Sequence, residues 1–258
     1  MPDNALPSSI YSINVPSSGP AILTTKARIR KSGKQAFYDL EGIALDTSIQ
    51  ARGTGGFWLA SEGNAAFDDE DYQANLLVQV SANGTVQREI RLPGSVDSAT
   101  GGLIRKNGFE GVAVSNDGRY LLAAIQREFT DDEANGGALY ARIARYDLQE
   151  RRWDFFLYPL DPTTTEDDWV GLSEITALPD GRFAVIERDK QLGGLAEIKK
   201  VYTFTLDDVQ SHRGLVTAST DLSGKVIAKT ELTDILAETT PFEKAEGLAL
   251  DPGGSLWL

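Results

Sequence analysis

A repeat constrains this chain more than any other feature. Four stretches open on an acid, run into a short apolar segment, turn, and run back. They are YDLEGIALD (38–46) with GGFWLASEGN (55–64), GFEGVAVSNDGRYLLAAIQRE (108–128), GLSEITALPDGRFAVIERD (171–189) and KAEGLALDPGGSLWL (244–258). Aligned on Glu41, Glu110, Glu174 and Glu246, they recur at separations of 69, 64 and 72 residues. Self-similarity at a long, near-constant period marks an array of supersecondary units.

Each period resolves into four strand-like runs. The first holds GIALD, FWLAS, NLLVQVS and TVQREIRL; the second GVAVS, YLLAAIQ, LYARIARYDL and WDFFLYPL; the third EITAL, RFAVIE, KKVYTFTL and a weaker KVIAKTEL. Aromatic and β-branched residues at period two predict strands, and NDG, PDG and PGG supply hairpin turns. Helical periodicity is scarce, with room for one turn in TDILAETTPFEKA at 233–245. Four antiparallel strands per repeat predict an all-β fold, a β-propeller. Small residues opening each first strand, Gly42 with Ala44, Gly111 with Ala113 and Gly247 with Ala249, would let neighbouring sheets approach; Ile175 with Ala177 departs from this.

The expected organisation is a single domain over 1–258, with blades at about 38–107, 108–171 and 172–243 and half-blades at 1–37 and 244–258. That pattern predicts part of a larger, five- or six-bladed propeller. The compact alternative is a four-bladed ring in which both termini complete one blade.

Charge narrows the function. The net charge is −13 and the pI about 4.6, which repels nucleic acid and anionic lipid and attracts cations. No cysteine is present, so disulfides and thiolate chemistry are excluded. No apolar run approaches the length of a membrane span, and MPDNALPSSIYS has neither the basic nor the apolar region of a secretion signal. The one histidine, His212, falls in SHRGL, which the strand order puts on the face opposite the acids; triad and dyad chemistry would have to use it.

Antiparallel order gathers the acids. First-strand starts and second-strand ends share one face of each blade. Glu41, Glu110, Glu174 and Glu246 begin first strands; Glu62 with Asn64, Glu128, and Glu187 with Asp189 end second strands. The loops FDDED (67–71), FTDDE (129–133) and TTTEDD (163–168) fall on the same face, the first two read as solvated rim. Clustered carboxylates need a compensator. A hard cation such as calcium, with oxygen ligands from these nine side chains, is one. Arg127 and Arg188, beside the second-strand acids, are the other. Catalysis here would use metal-activated water with Glu110 and Glu174 as carboxylate groups, and Arg127 and Arg188 to hold a small anionic ester. The rival reading is a non-catalytic propeller whose acidic face binds a protein or carbohydrate partner.

Together, YDLEGIALD…GFWLASEGN, GFEGVAVSNDGRYLLAAIQRE…ARIARYDL…FFLYPLD and GLSEITALPDGRFAVIERD…KKVYTFTL resemble the phytase-like propeller family, described by esterase-like activity. The closing KAEGLALDPGGSLWL is similar to that family's last conserved hairpin. The resemblance implies hydrolysis of a phosphate ester or other ester, and a bacterial protein of the periplasm or exterior. The Glu-Gly strand start is also similar to the gluconolactonase and regucalcin propellers, which implies calcium on a channel glutamate. The chain departs from the phytase-like pattern in starting without its first hairpin and stopping before its closing Asp/Asn-rich cluster.

Overall fold

A computed structural model describes residues 7–16, 18–48, 55–64, 72–99, 101–104, 107–130, 132, 140–239 and 244–258. Two strands, β1 (Ser9–Asn14) and β2 (Ile22–Arg28), form an antiparallel pair, followed by the short ribbon β3 (Arg30–Lys31) and β4 (Lys34–Gln35). Three four-stranded antiparallel sheets come next, each in strict sequence order. The first is β5 (Asp39–Leu45), β6 (Gly56–Glu62), β7 (Leu76–Ser81) and β8 (Val86–Arg91). The second is β9 (Phe109–Val114), β10 (Tyr120–Ile125), β11 (Tyr140–Asp147) and β12 (Arg152–Pro159). The third is β13 (Val170–Ala177), β14 (Phe183–Asp189), β15 (Lys199–Phe204) and β16 (Thr230–Asp234). After the short helix α1 (Leu236–Thr239), β17 (Ala249–Leu250) and β18 (Leu256–Trp257) close the described chain as a last pair.

Period two decides how the sheets stack. Along β10, Leu121, Ala123 and Ile125 join one core cluster, while Leu122 and Ala124 join the next. Trp153 and Phe155 of β12 enter the first cluster, Phe156 and Tyr158 the second. A sheet covered on both faces needs apolar residues at consecutive positions, which is why this stretch reads as an almost unbroken apolar run. The first strands of successive sheets lie side by side. A Cβ on Gly42 would stand 2.6 Å from Cα of Gly111, and one on Gly111 would stand 2.8 Å from Cα of Glu174. Backbones approach that closely only where the side chain is a hydrogen.

The run KVIAKTEL divides rather than forming one strand. Thr230–Asp234 becomes β16, but Ile227 donates its N–H to Leu157 O at 2.8 Å, and His212 donates its own to Phe155 O at 2.6 Å. The excursion between β15 and β16 thus covers the outer edge of β12, and an unpaired edge invites association. A buried ion pair anchors it: Asp132 takes the Val216 N–H at 2.6 Å and pairs with Arg142, which donates to Gly214 O at 3.1 Å. Asp132 is therefore not part of a solvated rim, as its loop composition predicts, but fully buried. Residues 131 and 133 of that loop, and the whole acidic loop 67–71, lie outside the described residues.

Candidate metal and ester site

The acids meet where first strands begin and second strands end, and a β-bulge shapes each junction. Pairing skips one residue between Leu40 and Gly42, one between Phe109 and Gly111, and one between Leu172 and Glu174. The skipped residues are Glu41, Glu110 and Ser173. A bulge leaves its extra residue unpaired and re-aims its side chain. Glu174 is therefore not the third member of the series, as alignment on glutamate predicts. Serine holds that position, and Glu174 stands one residue on, where the other repeats have glycine. Its carboxylate takes the N–H of Ile175 at 2.9 Å and that of Val112, lying over the bare Gly111. Burial pushes its carboxyl well above the usual range.

The same register aligns the second strands. Glu62 stands opposite Asp39, Gln126 takes the matching place against Gly108, and Arg188 against Gly171. Acid, amide and guanidinium thus occupy equivalent positions, which gives this shared end of the sheets, the mouth of the candidate site, two unlike sides. On one side, Asp39, Glu41 and Glu62 each bring a carboxylate oxygen within 4.8 Å of the others, the one such group among the described residues. Glu62 also takes the Gly108 N–H at 2.8 Å, joining the first sheet to the second. Burial, then Glu62, Asp39 and Glu246, push the Glu41 carboxyl up to about 7. Burial, then Glu41 and Glu62, push Glu110 up to about 9 against the opposing pull of Arg188. Gln126 donates to Glu110 and accepts from the side chain of Asn107, fixing the Glu110 carboxyl in place.

On the other side the charges are matched. Glu246 accepts from Arg188 at 3.2 Å and from Lys244 at 3.0 Å. Ser173 accepts from Nε of Arg188 at 2.7 Å. Arg188 and Arg127 both stack on Trp169, their guanidinium carbons 5.5 and 4.7 Å from the ring.

Several predicted site residues have other partners. Alternation along β14 turns Glu187 and Asp189 to the face opposite Arg188. Glu187 takes the Asp161 N–H and Lys229 Nζ, each at 2.6 Å. Asp189 takes Lys199 Nζ at 2.6 Å and the N–H of Ile198 at 2.9 Å. Both acids are fully buried and turned away from Arg188, so they do not join the acids expected to hold a cation. Glu128 is held by Arg127 through contacts of 2.6 and 3.0 Å. Asn64 takes the Gln73 N–H at 2.5 Å, pinning the ends of the loop between β6 and β7. Thr164 and Thr165, in the loop 163–168, direct their hydroxyls to Glu197. His212 is half-buried, and burial with nearby Arg142 lowers its pKa.

Asp39 and Gln126 are site residues that glutamate counting overlooks. Asp39 stands two positions before Glu41, on the same side of a strand, and that spacing is visible in DLEG. Gln126 becomes visible only when the repeats are aligned by strand pairing.

Three convergent carboxylates are a donor set for a hard cation, and the raised carboxyls beside them are groups able to exchange protons near neutrality. No curated protein matches the sequence. The full length, residues 1–258, matches the family described as "Phytase-like: Esterase-like activity of phytase". On that match, over strands that bring these acids to one end of their sheets, the chain belongs to the phytase-like family.

Proposed function

We propose that this face hydrolyses a phosphate monoester or a related small anionic ester, with calcium held by Asp39, Glu41 and Glu62. The observation that carries the reading is the convergence of three carboxylates, each with an oxygen within 4.8 Å of the others. Hard oxygens in that number suit calcium, whose remaining ligands would be water and substrate. In this reading the sheets are blades of a propeller, at about 38–107, 108–171 and 172–243, with half-blades at 1–37 and 244–258.

When bound, the cation supplies Lewis-acid polarisation of the ester oxygen and an acidified water. The chain's own residues do the rest. Glu110, held by Gln126, keeps a proton through neutral pH in the cation-free protein, with its carboxyl at about 9. With a cation held by the neighbouring acids, the Glu110 carboxyl would fall toward the range where it can give and take a proton. Glu110 thus serves as the group that protonates the leaving oxygen. Arg127, partly exposed and stacked on Trp169, presents a guanidinium to the anionic group. Arg188 acts from behind it, neutralising Glu246 and moderating Glu110.

Hydrolysis of 4-nitrophenyl phosphate with calcium and with EDTA tests the reading. Calcium-dependent turnover that falls by about a hundredfold in Glu110→Gln is expected for loss of a proton-transfer group. Turnover unchanged by both EDTA and Glu110→Gln would remove the site from the chemistry. Calcium binding without turnover would favour the non-catalytic propeller, which the matched Arg127–Glu128 and Arg188–Glu246 pairs also suit.

A further inference from the structure

Below the carboxylates lies a surface that ester hydrolysis by itself does not use. Two cavities follow the first strands away from the mouth. The upper, of about 380 Å³, carries Glu41, Glu174 and Glu246 on a wall that also includes Ile10, Leu40 and Leu59. The lower, of about 340 Å³, is lined by later residues of the same segments, among them Ile43, Leu45, Ala177, Leu248 and Leu250. Ile43 lines both, so the two spaces share a wall. Each of three segments therefore presents a carboxylate above and aliphatic side chains below. The lower cavity draws on β5, β9, β13 and β17 together, so it follows the inner strands of four sheets rather than the flank of one. No charged side chain lines it among the described residues; its polar lining is Thr47, Asn116 and Thr176. Ile43 and Leu45 are 48% and 67% exposed, so this aliphatic surface faces open space instead of packed core.

We propose that the site takes amphiphilic esters: the anionic head at the carboxylate mouth, a hydrocarbon chain in the aliphatic cavity beneath it. The proposal rests on the ester-hydrolase reading and adds the substrate class. A wholly polar polyphosphate would occupy the upper space alone and gain nothing from the lower one. A hydrocarbon chain leaves water for an apolar wall, and each methylene so buried tightens binding by up to about fourfold. The chain is the alkyl part of a phosphate ester, whose anionic head stays at the mouth while its methylenes meet Ile43 and Leu45.

The test is calorimetry on the intact protein, with calcium titrated first and then methylphosphonate and n-octylphosphonate, each with and without calcium. Octylphosphonate is expected to bind at least tenfold tighter than methylphosphonate, and Leu45→Asp to bring the two within about twofold while leaving methylphosphonate unaffected. Leu45 is well exposed, so this substitution does not threaten folding. With calcium present, n-octyl phosphate is then expected to turn over with a lower KM than methyl phosphate, and equal KM values would overturn the assignment of the chain to this cavity. Equal binding of the two phosphonates, with calcium heat intact, would overturn the chain-binding proposal alone. No calcium heat, with the chain-length preference intact, would overturn the metal reading and leave the cavity assigned. A dimer that Leu45→Asp dissociates, with no chain-length preference, would give the strip to a second copy and overturn the proposal.

Discussion

Burial raises the carboxyls of Glu41 and Glu110, the neighbouring acids raise them further, and the result has a pH signature. A carboxyl whose folded value is raised contributes stability below its ordinary range and loses it as pH climbs through the folded value. For Glu41 that window runs from 4.5 to about 7, and for Glu110 from 4.5 to about 9. The cation-free protein is expected to lose Tm steadily as pH rises through those windows, and calcium to recover most of the loss. Melting curves in EDTA and in calcium check this; parallel curves would contradict it. The buried partners behave differently. Asp189 and Lys199 lose water together, so Lys199→Met leaves a charge uncompensated in the interior. Destabilisation of about 3 kcal/mol or more is expected in chemical denaturation, with calcium affinity of the folded protein unchanged.

At the scale of the elements, the close approach of first strands depends on two glycines. Gly42→Ala and Gly111→Ala drive a methyl into a neighbouring backbone, and each is expected to cost about 2 kcal/mol. Gly247 has nothing within 4 Å, so Gly247→Ala is expected to change stability by less than about 0.5 kcal/mol. Thermal or urea unfolding of the three variants separates the cases. The hairpins were legible in the sequence because alternation and Asp-Gly or Pro-Gly turns act locally, and the repeat let each copy support the others. The bulge register was not. Ser173 and Glu174 are adjacent polar residues, and only the pairing partners across β13 and β14 show which one is skipped. Alternation does put Glu187 and Asp189 opposite Arg188. Their cations come from Lys229 and Lys199, on other strands or loops, and no local pattern announces them. The divided run 225–232 escaped for a similar reason: Ile227 bonds to a strand of the preceding sheet, about seventy residues earlier.

Across the whole molecule, the strand order explains why acids gather at one end. Every first strand begins where its second strand ends, so a repeat with polar residues at its tips collects them on one face. Variation at those tips then sets the chemistry. The first sheet supplies acids, the second an acid held by an amide, the third a serine with an arginine. The mouth is therefore divided between an acid-rich side and a charge-matched side, which suits a cation next to an anionic ester better than a uniform ring of glutamates would. The aliphatic residues beneath extend that division along the first strands of the sheets.

Calcium calorimetry on three proteins decides whether Asp39, Glu41 and Glu62 form the cation site. The wild type is expected to bind one calcium. Glu41→Gln with Glu62→Gln is expected to weaken binding at least a hundredfold, because a hard cation loses two charged oxygens. Glu174→Gln, whose carboxyl lies over Gly111 on backbone N–H groups, is expected to bind as the wild type does. No binding heat in the wild type, or full affinity in the double variant, would take the cation away from these three acids.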